Sequence, residues 1–182
     1  AATFEAFGAP SFVFNNAGVG SGGLIWENTL ADWEWVLGVN LMGVVHGVRV
    51  FTPMMLGAAR QDAAFEGHIV NTASMAGLLN PPNMGVYNVS KHAVVSLSET
   101  LYQDLRLVSD QVTASVLCPF FVTTGITQSQ RNRPAELAAA PVRVRELPRI
   151  DFVRLDNQTL YNDRLLLNKL AIPVGETLDI DR

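Results

Sequence analysis

Ser11-Phe12-Val13-Phe14-Asn15-Asn16-Ala17-Gly18 joins a short, unbroken apolar run to a polar stretch that ends in glycine. A run of this length without alternation predicts a strand buried on both faces, as in a parallel sheet, opening into a loop. Upstream, Ala1 to Phe7 has helical composition and stops at Gly8-Ala9-Pro10, a common way to end a helix. Downstream, Thr29 as N-cap and Asp32 in the capping-box position predict a long helix. It would run through Trp33, Val36, Leu37, Asn40, Leu41 and Val44 towards Met55, with Pro53 kinking its end.

The pattern then repeats. Gly67-His68-Ile69-Val70-Asn71-Thr72-Ala73-Ser74 reads as a second strand that delivers polar side chains at its C-terminal end, followed by a Gly/Pro/Asn loop from Gly77 to Gly85. Val86 to Leu107 carries Val94, Leu97, Leu101 and Leu105 at helical intervals, and Val112 to Cys118 reads as a third strand ended by Pro119. Strands alternating with such helices indicate βαβ units. The expected class is α/β, a Rossmann-like parallel sheet flanked by helices and followed by an irregular C-terminal tail. Ligands of such sheets bind beyond the carboxyl ends of the strands, where Asn15 to Gly18, Asn71 to Ser74 and Pro119 to Thr124 all fall. Gln128 to Pro148, rich in Arg, Pro and Ala, reads as a mobile loop or linker, with a strand at Ile150 to Leu155 and a helix at Thr159 to Leu170 beyond it. The organisation expected is a partial sheet domain over 1–130 and a linker and tail over 131–182.

The 182 residues are 48% hydrophobic, enough for a sizeable core, and the net charge of −4 comes without a Lys/Arg cluster, so nucleic acid is not an expected partner. The one cysteine, Cys118, forms no internal disulfide framework and agrees with a reducing, cytoplasmic compartment. Leu37 to Leu56 is the most apolar stretch. Asn40, His46, Arg49 and Pro53 interrupt it, so it reads as a buried helix and not a membrane span. No basic segment leading an apolar one opens the chain, and secretion is not expected. His46, His68 and His92 show no ligand spacing with one another or with Cys118, so no metal site is expected.

Tyr87 and Lys91 stand four apart near the start of a helix and so share a face. A phenol is a poor base at neutral pH, but a nearby ammonium stabilises the phenolate and suits it to general acid–base work. Ser74, at a strand end, is placed to hold the same substrate oxygen. Asn40 is a polar residue in an otherwise apolar helix and must find partners if buried.

Taken in order, Asn15-Asn16-Ala17-Gly18, Val39-Asn40-Leu41, Ser74 and Tyr87-Asn88-Val89-Ser90-Lys91 resemble the motifs of the short-chain dehydrogenases/reductases over roughly residues 1 to 130. The resemblance implies a nicotinamide-dependent oxidoreductase that moves hydride between a secondary alcohol and its ketone, with NAD or NADP as cofactor. It implies that Tyr87 is the general acid or base, that Ser74 holds the substrate oxygen, and that Lys91 lowers the Tyr87 pKa and binds the nicotinamide ribose. Asn40 would fix a water linking Lys91 to solvent. Asn16, Ala17 and Gly18 would lie beside the adenosine side of the cofactor. Pro119 to Thr124 resembles the family's segment flanking the nicotinamide, with Val122 offering backbone contact and Thr124 a hydroxyl. Phe120 stands where that segment has glycine. Met75, Leu79, Met84 and Phe121 could form an apolar substrate wall, although core or lid packing explains them as well. The helices of Asn40 and Tyr87 would pack across a two-fold axis in a homodimer or homotetramer.

The family's Gly-rich turn, Thr-Gly-x-x-x-Gly-x-Gly, which seats the cofactor pyrophosphate, does not occur in this sequence. The tail is also unlike the family's, whereas Leu178 to Arg182 faintly resembles a strand that would precede Ala1, as in a rearranged order. The alternative expectation is a catalytically silent fragment or interaction module without a complete dinucleotide site.

Overall fold

The computed structural model describes residues 2–138. The expected strand and helix at Ile150 to Leu155 and Thr159 to Leu170 lie outside them. Helix α1 (Ala2–Phe7) leads to strand β1 (Phe12–Asn15), then to helices α2 (Leu30–Leu37) and α3 (Gly43–Gln61). Strand β2 (Gly67–Thr72), the short helix α4 (Ala76–Leu79), helix α5 (Gly85–Arg106) and strand β3 (Val112–Leu117) follow. The three strands are parallel and adjacent in chain order, with Val13 opposite Ile69 and Ile69 opposite Ala114. This is the Rossmann-like parallel arrangement expected.

One sheet face is packed. Val13, Ile69, Val112 and Ala114 meet Met55 and Ala59 of α3 and Leu101 and Leu105 of α5 in a single apolar cluster. The same face carries a polar chain, in which Asn15 Nδ2 donates to Asn71 Oδ1 at 2.8 Å and Asn71 Nδ2 donates to Ser98 Oγ at 3.0 Å. Asn15 and Asn71 are register partners. The other face differs from expectation. Phe12 and Phe14 are 59% and 46% exposed, so β1 is buried on one side only. No described helix covers that side, and the Phe12 ring instead stacks near Phe14 and His68, at centroid distances of 6.3 and 6.1 Å.

Thr29 caps α2 as expected, its hydroxyl accepting from Asp32 N while Asp32 Oδ2 accepts from Thr29 N. The expected single helix is interrupted by a π-helical turn at Gly38–Met42, centred on Asn40, and it continues past Pro53 to Gln61. The run Leu30–Gln61 is long and apolar enough to cross a membrane by length and composition, and its Trp35, Val36, Val44 and Met55 are buried in the protein's own clusters.

The segment after β3 is not the free linker expected to start at Gln128. It forms two 3₁₀ turns, Gly125–Asn132 and Ala135–Leu137, fastened at both ends. Ser129 Oγ accepts from Gly20 N at 2.9 Å, and Arg133 Nη1 meets Asp32 Oδ1 at 2.6 Å in an ion pair whose side chains are 4% and 9% exposed. The Arg133 guanidinium also lies 5.0 Å from the Trp35 ring.

Candidate active site

The carboxyl ends of β1, β2 and β3 open towards the first turn of α5. Strand β2 ends at Thr72, and Ser74 follows two residues later with its Oγ accepting from Ala76 N at 3.1 Å, which fixes the entry into α4. Gly77 of α4 lies so close to α5 that a Cβ there would sit 2.6 Å from the Lys91 carbonyl carbon. Helix α5 therefore carries Tyr87 and Lys91 directly past the end of β2. Tyr87 and Lys91 are 7% and 3% exposed, and Lys91 Nζ is 5.7 Å from the centre of the Tyr87 ring.

Lys91 Nζ donates to Thr72 O at 2.9 Å, its only acceptor among the described residues. Burial, slightly offset by the Cys118 thiol, lowers its pKa to about 8. A buried ammonium has three N–H groups, so two remain for acceptors from outside, the donor set a ribose diol requires. The residues present thus fit the nicotinamide half of a dinucleotide.

Tyr87 departs from the sequence expectation. Burial pushes its phenol above the usual range, and the facing Ser74 hydroxyl offsets only part of that rise. The expected acidification by Lys91 is not found: desolvation is the larger cause of the shift, and the Ser74 hydrogen bond is what opposes it.

Asn40 is fully buried, and its partners are all protein groups. Its Oδ1 accepts from Val19 N at 2.8 Å, while Nδ2 donates to Val19 O at 3.0 Å and to Ser90 Oγ at 3.0 Å. Both amide hydrogens are used, so the side chain braces the loop after β1 against α5. Gly18 sits inside this brace. A Cβ there would lie 3.5 Å from both Asn40 Oδ1 and Lys91 Nζ.

Asn16 and Ala17 are exposed at the end of β1, and Asn16 Oδ1 accepts from Thr72 Oγ1 at 3.1 Å. Pro119 is tied to the site, its carbonyl accepting from Met75 N at 3.0 Å. Val122 is 61% exposed, and Thr124 Oγ1 accepts from Ile126 N at 3.3 Å to cap the 3₁₀ turn. Phe120 packs edge-on against Phe121 at 5.2 Å, both largely exposed, and does not pull Pro119 away from Met75. Of the apolar wall residues, Phe121 and Leu79 are exposed and Met75 and Met84 half-buried. His92 Nδ1 is 2.7 Å from Gly77 O and His68 Nε2 is 2.9 Å from Ser115 Oγ, both packing roles.

A family model described as short chain dehydrogenase matches residues 1–135. The chain belongs to the short-chain dehydrogenase/reductase family. Family members use NAD or NADP. A short-chain dehydrogenase/reductase from Burkholderia phymatum, solved in complex with NAD, is 59% identical with a TM-score of 0.72, over 78% of this chain and 50% of that one. A CLA biosynthesis dehydrogenase/reductase from Lactiplantibacillus plantarum is 36% identical over 72% of this chain and 44% of its own length. A C alpha-dehydrogenase from Sphingobium is 35% identical over 70% of this chain and 40% of its own. The chain thus spans less than half the length of these curated short-chain dehydrogenase/reductase relatives.

Sequence reasoning passed over Ser90, Thr72 and Arg133. Ser90 had a signal, being a polar residue between Val86 and Val94 on the buried side of a helix. Thr72 acts through its carbonyl, which no side-chain pattern reports.

Proposed function

We propose that the chain carries the catalytic half of an NAD- or NADP-dependent oxidoreductase that interconverts a secondary alcohol and its ketone. The observation that carries this reading is the convergence of Ser74, Tyr87 and Lys91 at the end of β2, with the ammonium 5.7 Å from the phenol ring and two of its N–H groups unclaimed by described residues.

The dinucleotide, when bound, accepts or supplies the hydride. The chain's own residues do the rest. Ser74 holds the substrate oxygen beside Tyr87, and the Tyr87 hydroxyl gives a proton to a carbonyl oxygen or, as phenolate, takes one from an alcohol. Lys91 stabilises the phenolate and reaches ribose hydroxyls, while Asn40 keeps Val19 and Gly18 against it. Asn16, Ala17 and Gly18 would line the adenosine side, and Pro119, Val122 and Thr124 the nicotinamide side. The single cysteine agrees with a cytoplasmic setting, and the exposed Met42, Val50 and Val89 support packing of a second copy in a homodimer or homotetramer, which light scattering would read.

The test is an absorbance assay of purified protein with either cofactor and a panel of secondary alcohols and ketones. Turnover that disappears in Tyr87→Phe supports the reading, and equal turnover in that variant overturns it. A second reading is a silent module that keeps the sheet without holding a dinucleotide. Calorimetric titration with NAD and NADP separates the two, because micromolar binding by this chain excludes silence.

A further inference from the structure

Helix α5 begins without a side-chain cap, and its first residue, Gly85, is seated against the loop after β1. A Cβ on Gly85 would lie 2.6 Å from Ile25 Cβ, 2.7 Å from Ile25 Cγ1 and 3.0 Å from Ile25 Cα, so only a glycine lets the two segments touch. Ile25 is itself held in place. Glu27 N and Asn28 N donate to Leu24 O at 2.9 and 3.3 Å, and Asn28 Nδ2 donates to Gly22 O at 3.1 Å. Gly23, at a φ of +112° that a side chain would strain, donates from its N to Asn83 O at 2.8 Å and pairs with Met84 in a parallel bridge. Yet Ile25 stays 48% exposed, so the burial of its own surface does not account for this support.

Further along α5, Gly77 of α4 meets the backbone of Lys91 and His92 just as closely. Two close contacts therefore straddle Tyr87, one at Gly85 before it and one at Lys91 after it. We propose that Ile25 is a positioning residue, the stop against which Gly85 seats the first turn of α5, and that it thereby sets the reach of the Tyr87 hydroxyl to Ser74. Its catalytic relevance rests on the reading given above. Because Gly77 pins the helix at Lys91, a push at Gly85 is taken up within the turn that carries Tyr87. The Lys91 ammonium, bonded to Thr72 O, is left where it is.

Carbon NMR of the full chain carrying 13Cζ-tyrosine, without cofactor, reads the Tyr87 hydroxyl. The sequence has three tyrosines, Tyr87, Tyr102 and Tyr161, so Tyr102→Phe and Tyr161→Phe assign the signals. Ser74→Ala gives the displacement of the Tyr87 signal that accompanies loss of its hydroxyl partner. Gly85→Ala should move the signal in the same direction by a comparable amount. In Gly85→Ala/Ile25→Gly the added methyl takes the vacated space, with only the residue 25 Cα left close to it, and the signal should return towards wild type. Turnover should follow the same order, with kcat in Gly85→Ala lower by about 10²-fold, the scale of an ångström's misplacement, the KM for cofactor little changed, and kcat recovering in the double variant. A Tyr87 signal unmoved in folded Gly85→Ala, or a double variant that stays with Gly85→Ala, overturns the proposal. If Gly85→Ala does not fold, Ile25→Gly decides, since removing the stop should also move the signal and an unmoved one overturns the proposal. The spectra use no cofactor, so a chain that shows these shifts without turnover refutes the oxidoreductase reading and leaves the role of Ile25 standing.

Discussion

Lys91 holds its ammonium nitrogen 5.7 Å from the centre of the Tyr87 ring, and both side chains are buried. Burial opposes ionisation of both, raising the Tyr87 pKa and lowering that of Lys91 to about 8. At neutral pH the pair therefore stands as a phenol beside an ammonium.

For the proposed reaction, Tyr87→Phe keeps the ring and its packing and removes only the transferable proton. Turnover should fall by about 10²-fold or more, the scale of general acid–base catalysis. Affinity for NAD or NADP, read by calorimetry, should change little.

Lys91 also makes a prediction about stability. Its folded pKa is about 8 against the ordinary lysine value of 10.5, so between those values the unfolded chain binds more protons and stability gains with rising pH. Below pH 8 both states are protonated and the folded state carries the whole desolvation penalty. Lys91→Met should therefore stabilise the protein at pH 7 by about 1–3 kcal/mol, a shift of this size discounted for residual solvation. The advantage over wild type should shrink as pH rises from 8 to 10 in urea titrations. A constant difference across that range would show that the ammonium is not desolvated.

The Asp32–Arg133 pair should matter more than a surface ion pair. Its members are nearly inaccessible, Arg133 Nη2 has no partner among the described residues, and Asp32 also closes the Thr29 capping box. Asp32→Asn should cost about 3–5 kcal/mol, since it leaves a buried guanidinium uncompensated. Burial raises the Asp32 pKa, but the bonds from Arg133 and Thr29 outweigh it and the net shift is downward. That stability is present above the unfolded carboxyl pKa of about 4 and is lost as pH falls through the lower folded value. Acid titration of the variant should lack this part of the wild-type loss.

Gly77→Ala tests how tightly α4 is seated. The added methyl would meet Lys91 C, His92 N and Lys91 O at 2.6 to 2.8 Å, backbone that cannot turn aside. The cost should be about 1–3 kcal/mol, the usual range for overpacking, seen as a lower urea midpoint. Activity should fall beyond what the unfolded fraction explains, because Ser74 and Lys91 would move apart.

Much of this was legible in the residues themselves. Tyr87 and Lys91 are one helical turn apart wherever the helix lies, and Ser74 follows a β-branched run that forms little else. The parallel sense came from the alternation of such runs with helices. What was hidden depends on groups distant in the chain. The π-turn at Gly38–Met42 accompanies Asn40 bonds to Val19 and Ser90, 21 and 50 residues away. Arg133 finds Asp32 across 101 residues, so a stretch with loop composition is fastened. The exposure of Phe12 and Phe14 was also missed, since an unbroken apolar run reads the same whether one face is covered or two. The Tyr87 shift was misjudged because a sequence shows the neighbouring charge and not the depth of burial.

The Asn15–Asn71 pair has a consequence for how the sheet assembles. The two amides meet only if β1 and β2 align residue for residue, and Asn71 must also find Ser98 on α5. Sliding either strand by a single position would turn one amide outward and maroon the other among aliphatic groups, a fault of about 1–3 kcal/mol for each orphaned hydrogen bond. Val and Ile side chains would forgive such an error far more readily. Two asparagines thus specify the alignment of the sheet more sharply than its apolar residues do.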